Sequence, residues 1–383
     1  MNAPTLLTWS EKDSARSALW RSDQVLPKHV VLADDTLTAD AAYRLACAGT
    51  GLLWRSDFQN ARQLLQALAR RIDKPKKVRA KKQDADPPVV PGMAFHTHRQ
   101  AQAQRTRILS QILIELNGDY GIDLRRAPDA KQACMQAFGP ANGQASVISL
   151  RSLQGVIGAF EWRKNGVEVP AMGEALRIYP HYGVFSPVRG EYVDLVANTP
   201  IKDKSLAFDI GVGTGVLSAV LAKRGVQHIV ATDQDPRALA CARENLQRLQ
   251  RLDKVALVQT DLFPDGQAPL IVCNPPWVPA RPSSPIEHAV YDEGSRMLRG
   301  FLSGLRAHLT PQGEGWLILS DLAEHLGLRT REELLCWISE AGLTLVDRHD
   351  IKPRHGKATD DTDPLHAARA KEVTSLWRLA AAA

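Results

Sequence analysis

Paired cysteines are missing from this chain. Its five, Cys47, Cys134, Cys241, Cys273 and Cys336, are odd in number, widely spaced and free of any CxxC pair. That spacing excludes a disulfide framework and a cysteine zinc site. No run approaches the roughly 18 apolar residues of a membrane span, so none is expected. The opening stretch MNAPTLLTWSEKDSARSALW has no basic region ahead of an apolar one, so no secretory leader is expected and a cytosolic (cytoplasmic) setting is. A strong charge of either sign is also absent. The net +6 is mildly basic and favours contact with nucleic acid or ribosomal surfaces without requiring it. What is present is ordinary globular material, 44% hydrophobic and 23% charged. That excludes a disordered polymer, a collagen-like fibre and a multi-span membrane protein. A length of 383 residues suits two domains better than one.

Composition divides the chain into four parts. Residues 1–73 read as a helical region, with Asp57 as N-cap of a segment carrying Phe58, Leu64, Leu65 and Leu68 at helical spacing. Residues 74–95 read as a linker, because Lys74, Lys76, Lys77, Arg79, Lys81 and Lys82 repel one another and Pro87, Pro88 and Pro91 block a helix. Residues 96–177 read as a helical and hairpin region for substrate recognition. Helices are expected over 99–116 and 151–162, and a hairpin turn at Asn165-Gly166. From 178 to the end the pattern changes. Strands are expected at Leu206–Ile210, His228–Asp233, Val255–Gln259, Leu270–Cys273, Trp316–Ser320, Leu343–Arg348 and Thr374–Leu379, most separated by helical stretches. Alternation of this kind implies a parallel sheet covered on both faces. The polar 351–373 connection offers no long apolar helix, so the last two strands should pair antiparallel.

The first of these strands ends in Asp209-Ile-Gly211-Val-Gly213-Thr-Gly215. A strand running through a glycine turn into a helix makes a ligand site beyond the carboxyl end of a sheet. A dinucleotide fingerprint needs G-x-G-x-x-G, but here the spacing is G-x-G-x-G and Val216 stands where the third glycine would fall. Asp209 suits a ligand with a positive ammonium or sulfonium better than a pyrophosphate. Asp233 ends the second strand, where a carboxylate matches a vicinal diol. Asp261 follows the third and could accept an adenine amine, with the Leu262 backbone N–H serving the ring. Taken alone, Asp233 reads equally well as a helix cap and Asp261 as a turn residue. In register, the three outline a nucleoside with a cationic amino-acid tail, which S-adenosylmethionine matches.

After the fourth strand comes Asn274-Pro275-Pro276-Trp277. An amide or exocyclic amine is a poor nucleophile because its lone pair is delocalised into a neighbouring π-system. The Asn274 side-chain carbonyl and the Pro275 backbone carbonyl could each accept one N–H of such a group, concentrating electron density on nitrogen as charge develops. Pro275 and Pro276 would stiffen the loop, and Trp277 would offer a flat face to a planar target. The bland alternative is a proline-rich turn with a buried tryptophan.

DIGVGTG, TDQDP, TDLF and NPPW, in this order and spacing, resemble the Rossmann-like (class I) S-adenosylmethionine-dependent methyltransferases that act on planar nitrogen. The likeness covers about residues 178–380. It implies an α/β fold with a Rossmann-like seven-stranded methyltransferase sheet whose last strand is antiparallel, alongside the mainly helical N-terminal region. NPPW followed by Asp292-Glu293-Gly294-Ser295 is similar to the HemK-type glutamine methyltransferases. Gly183-Val-Phe-Ser186 is similar to the ribosomal RNA guanine-N2 methyltransferases. Trp277 stands where the HemK type usually has tyrosine, and Pro187-Val-Arg-Gly-Glu191 departs from its Pro-Glu-Thr-Glu run, so the substrate does not carry over.

The expected activity is methyl transfer from S-adenosylmethionine to an amide or exocyclic amine of a macromolecule, a protein glutamine or an RNA or DNA base, in a setting related to translation. Asp209, Gly211, Gly213, Gly215, Asp233, Asp261 and Leu262 would hold the cofactor, and Asn274, Pro275, Pro276 and Trp277 the target; no metal is expected. The basic 74–107 region could touch nucleic acid through its lysines, Arg99, Arg105 and Arg107. Glu287, His288, Phe185, Tyr179 and Tyr182 are secondary candidates for substrate contact, with a loop or core role as the plainer reading; His96 and His98 read as surface residues. A non-catalytic RNA-binding module and a nicotinamide-dependent oxidoreductase are the alternatives.

Overall fold

The computed structural model describes residues 5–22, 24–74, 92–187, 190–282, 285–354, 360–361 and 363–382. Residues 75–91, which hold most of the expected linker and its lysine run, lie outside the described residues. The chain divides into two units, one of Met1–Val90 with His96–Glu161, the other of Pro91–Phe95 with Trp162–Ala383.

The first unit is not helical alone; a six-stranded sheet runs through it. The unit contains β1 (Leu6–Glu11), β2 (Ser14–Trp20), β3 (His29–Ala33), α1 (Ala39–Ala48), β4 (Thr50–Trp54), α2 (Phe58–Ile72), α3 (Met93–Leu109) from His96 onward, β5 (Ile112–Leu116), α4 (Lys131–Phe138), β6 (Ser146–Ser149) and α5 (Leu150–Asn165) as far as Glu161. Its sheet runs β1-β2-β6-β5-β4-β3. Most of the strands escape periodicity because they are short and either buried or exposed along their length; every residue of β4 and β6 is buried, so neither alternates, and only β1 shows a period of two. The expected 99–116 helix is corrected in the same way. α3 ends at Leu109, and Ile112–Leu116 is a strand. Met93–Phe95, expected in the linker, already form the first turn of α3. The α2 expectation matches: the Asp57 carboxylate accepts the Gln59 N–H at 2.8 Å, and Phe58, Leu64, Leu65 and Leu68 are buried.

In the second unit, Asn165-Gly166 is not a hairpin turn. Gly166 ends α5, its N–H donating to the Trp162 carbonyl at 2.8 Å. A small ribbon of β7 (Val167–Glu168) and β8 (Arg177–Ile178) follows. Then come α6 (Glu191–Asn198), β9 (Leu206–Ile210), α7 (Val216–Lys223), β10 (His228–Asp233), α8 (Pro236–Arg248), β11 (Val255–Gln259), β12 (Ala268–Cys273), α9 (Arg296–His308), β13 (Leu309–Ser320), α10 (Leu322–His325), α11 (Arg331–Glu340), β14 (Leu343–Ile351) and β15 (Thr374–Ala381). The sheet order is β11-β10-β9-β12-β13-β15-β14. Only β15 is antiparallel, to both its neighbours.

Both faces of this sheet are covered, and side chains alternate between them. Ala207, Leu270, Val272, Trp316, Ile318 and Leu376 share a core with Val216, Leu217, Val220 and Leu246. Phe208, Ile210, Ile271, Cys273, Leu317 and Trp377 share the other with Leu298, Phe301, Leu305, Leu334 and Ile338. Strand order reverses between β9 and β12. The crevice beyond the carboxyl ends of those two strands is therefore open to a ligand.

Candidate active site

The glycine turn follows β9. Gly211, Gly213 and Gly215 have φ of 79°, 52° and 83°. At Gly215 a Cβ would also stand 3.2 Å from the Ala242 Cα of α8, so only glycine lets the turn pass this helix. The N–H groups of Gly211 and Val212 both donate to the Thr232 carbonyl, at 2.9 and 2.8 Å, which ties the turn to β10.

Asp233, at the end of β10, holds the turn from the other side. Its Oδ2 accepts the Gly213 N–H at 3.1 Å and its Oδ1 the Asp235 N–H at 2.9 Å. Each oxygen keeps a lone pair. Burial pushes the Asp233 carboxyl above the usual range. The cap of α8 is Asp235, whose Oδ1 accepts the Arg237 N–H at 2.9 Å. Asp261 is exposed and paired to Arg296, while the Leu262 carbonyl accepts the Thr232 hydroxyl at 2.6 Å.

Asn274 and its prolines leave β12. Asn274 Oδ1 accepts the Trp277 indole N–H at 2.9 Å. Val278 forms a parallel bridge to Tyr291 and accepts the Asp292 N–H at 2.9 Å, so the outgoing and returning arms of the loop are joined. Asp292 then caps α9, its Oδ2 accepting the Met297 and Leu298 N–H groups at 2.9 and 3.2 Å.

One cavity of about 510 Å³ joins these parts. Gly211, Gly213, Asp233, Asp261, Leu262, Asn274, Pro275, Pro276 and Trp277 all line it. Gly215 does not; it begins α7 just behind the turn. Nor does Asp209, whose expected place against a cationic tail is corrected. Alternation along β9 turns its side chain toward α7, where it is 1% exposed and Oδ2 accepts the Ser218 hydroxyl at 2.6 Å. Oδ1 meets no donor among the described residues. Burial pushes this carboxyl up to about 6.

Sequence reasoning missed much of the cavity's apolar wall. Phe95, Val278, Tyr291, Leu322, Leu326 and Leu365 line it, and Phe95 is 3% exposed in a cluster with Val278, Leu322 and Leu365. These residues come from separate segments, and no local motif marks them. Of the secondary candidates, Phe185 and His288 line the cavity; Glu287, Tyr179 and Tyr182 do not. Tyr179 lies instead under the Arg248 guanidinium, 4.5 Å from the ring centre. Arg105, considered for phosphate contact, is paired through two hydrogen bonds of 2.9 Å to Asp73.

Comparison with known proteins decides the family. The methyltransferase small domain family matches residues 175–326. A tRNA1(Val) (adenine(37)-N6)-methyltransferase of Shewanella loihica is 30% identical over 183 residues, 45% of this chain and 72% of that protein. The chain belongs to the Rossmann-like S-adenosylmethionine-dependent methyltransferases. A second relative of this methyltransferase, from Methanocaldococcus jannaschii and named as a protein N5-glutamine methyltransferase, is 29% identical over 157 residues, 39% of this chain and 78% of that one. A methyltransferase structure from Pyrococcus furiosus covers 59% of the chain and 98% of its own length at 20% identity and a TM-score of 0.38. The matched family segment contains both the glycine turn and the NPPW loop, and both lie in the second unit.

Proposed function

We propose that this enzyme transfers a methyl group to the planar amide or exocyclic amine nitrogen of a macromolecule, with Asn274 and Pro275 receiving the target. The observation that carries the reading is the single cavity running from Gly211, Gly213 and Asp233 to Asn274. The residues present fit S-adenosylmethionine. The positive-φ glycines leave the turn backbone open to a close ligand, and Asp233 retains a lone pair on each oxygen for a ribose diol. Charge agrees. Arg237, Arg296 and Arg369, the arginines lining the cavity, are paired to Asp235, Asp261 and Asp363, whereas Asp233 has no ion pair among the described residues. A cation is therefore better received here than a pyrophosphate, which disfavours the oxidoreductase alternative.

The bound sulfonium supplies an electrophilic methyl group. The protein's task is to bring a nitrogen lone pair in line with it. Asn274 Oδ1 and the Pro275 carbonyl accept the two N–H groups of the target, and their dipoles favour the positive charge that grows on nitrogen. Holding both reactants in one cavity supplies orientation. Asp261 and the Leu262 N–H receive the adenine, and the ring of Trp277 walls the acceptor side. The proton leaves after transfer, so no strong base is needed.

The two relatives are named for glutamine N5 and adenine N6. Both are sp2 nitrogens with a delocalised lone pair, so either a protein or an RNA acceptor is compatible with the loop. The basic 74–107 region would add phosphate contacts for a nucleic acid. We place the enzyme in the cytoplasm, since all five cysteines are free. The test is radiolabelled S-adenosylmethionine with extract from cells lacking this gene. Label that survives protease and is lost to ribonuclease names RNA, label lost only to deoxyribonuclease names DNA, label lost only to protease names protein, and no label in any polymer refutes the proposal.

A further inference from the structure

The Trp277 side chain does something its flat face does not require. Its indole N–H reaches back three residues and donates to Asn274 Oδ1 at 2.9 Å. An indole N–H is only a donor, so the carboxamide end it meets must be the oxygen. The two ends of a carboxamide have nearly the same shape and opposite hydrogen-bonding sense. With oxygen toward the target, Asn274 accepts an N–H. With its NH2 there, it opposes the target's own NH2, donor against donor.

We infer that Trp277 is a positioning residue, whose indole N–H holds the Asn274 carboxamide in the orientation that can accept the target amine. This rests on the proposed role of Asn274. The oxygen has two lone pairs, so the bond to Trp277 leaves one for the target. The donor is itself held firmly. Trp277 is half-buried and packs against the cores on both faces of the sheet, and Pro275 and Pro276 fix φ through the intervening loop. Stacking on a planar target would need only the ring, whereas positioning needs the N–H. Trp277→Phe keeps the first and removes the second.

The test uses the full-length enzyme. In 15N-labelled protein, the indole resonance missing from Trp277→Phe identifies Trp277 among the eight tryptophans. In Asn274→Ala that resonance should move to the position of an indole lacking this bond. Methyl transfer from radiolabelled S-adenosylmethionine is then measured against increasing amounts of total RNA and of total protein from cells lacking the gene. Trp277→Phe should lower kcat about fivefold or more, with apparent KM and cofactor Kd within about twofold of wild type. Trp277→Leu, which also removes the ring, should raise apparent KM as well. A Trp277→Phe enzyme that turns over at the wild-type rate, or an indole resonance unmoved in Asn274→Ala, overturns the inference while leaving the proposed function standing. A wild-type enzyme that labels neither fraction removes both.

Discussion

Asp209→Asn should change how stability depends on pH. The Asp209 carboxyl is 1% exposed, has one donor in Ser218 and none at Oδ1 among the described residues, and is pushed by burial from 3.8 up to about 6. The folded state therefore holds its proton more tightly than the unfolded chain does. Below about pH 4 the group is protonated in both states and contributes nothing. Between about pH 4 and 6 stability falls as pH rises, and above 6 the full penalty applies. At about 1.4 kcal/mol per pH unit, the difference approaches about 3 kcal/mol. Asparagine carries no such titration and can still accept the Ser218 hydroxyl. The melting-temperature gap, variant minus wild type, should thus widen from pH 4 to pH 8. For a unit of this size, about 3 kcal/mol corresponds to roughly 6–12 °C. Any constant effect of burying an amide cancels, as do all groups common to both proteins. Thermal melts at pH 4, 6 and 8 make the measurement. A gap constant within about 2 °C would refute the argument that the interior charge is uncompensated.

Asn274→Ala should lower methyl transfer about 100-fold or more while calorimetry finds cofactor affinity within about twofold of wild type; lost cofactor binding would mean Asn274 belongs to the wrong half of the cavity. Asp233→Asn should weaken cofactor binding about tenfold or more by titration calorimetry, because the neutral amide matches a diol on one atom only; unchanged affinity would remove Asp233 from the ribose site. Arg378→Ala should destabilise the second unit by about 1.5–3 kcal/mol in urea, since Glu314 loses two charge-assisted hydrogen bonds but keeps Lys202 and the Trp316 indole N–H. Arg378 is 9% exposed and makes two 2.9 Å hydrogen bonds to Glu314, 5% exposed, joining antiparallel β15 to β13. Adding Glu314→Leu should recover part of that loss, and a double variant no more stable than the single one would contradict the account.

The seven strands of this sheet were legible, three of them to the residue, because each contains a run rich in apolar residues, and β9, β10 and β12 end at glycine, aspartate or asparagine. The motifs beyond β9, β10, β11 and β12 were legible for the same reason: a parallel sheet puts consecutive strand ends on one edge. The N-terminal sheet was not. Its strands are short, β4 and β6 are buried throughout and β2 and β3 are mostly exposed, so only β1 alternates, and Ile112–Leu116 reads as the end of a helix until the chain turns at Ser110 and Gln111. By itself, then, the chain determined which residue types meet at the sheet's edge, since turns and strand ends are local. Only the tertiary structure decided their facing: that Asp209 lies under α7 and off the cavity, that Trp277 turns its N–H to Asn274, and that Phe95 reaches Leu322 and Leu365. Those outcomes depend on packing between segments far apart in the chain, which no local pattern encodes.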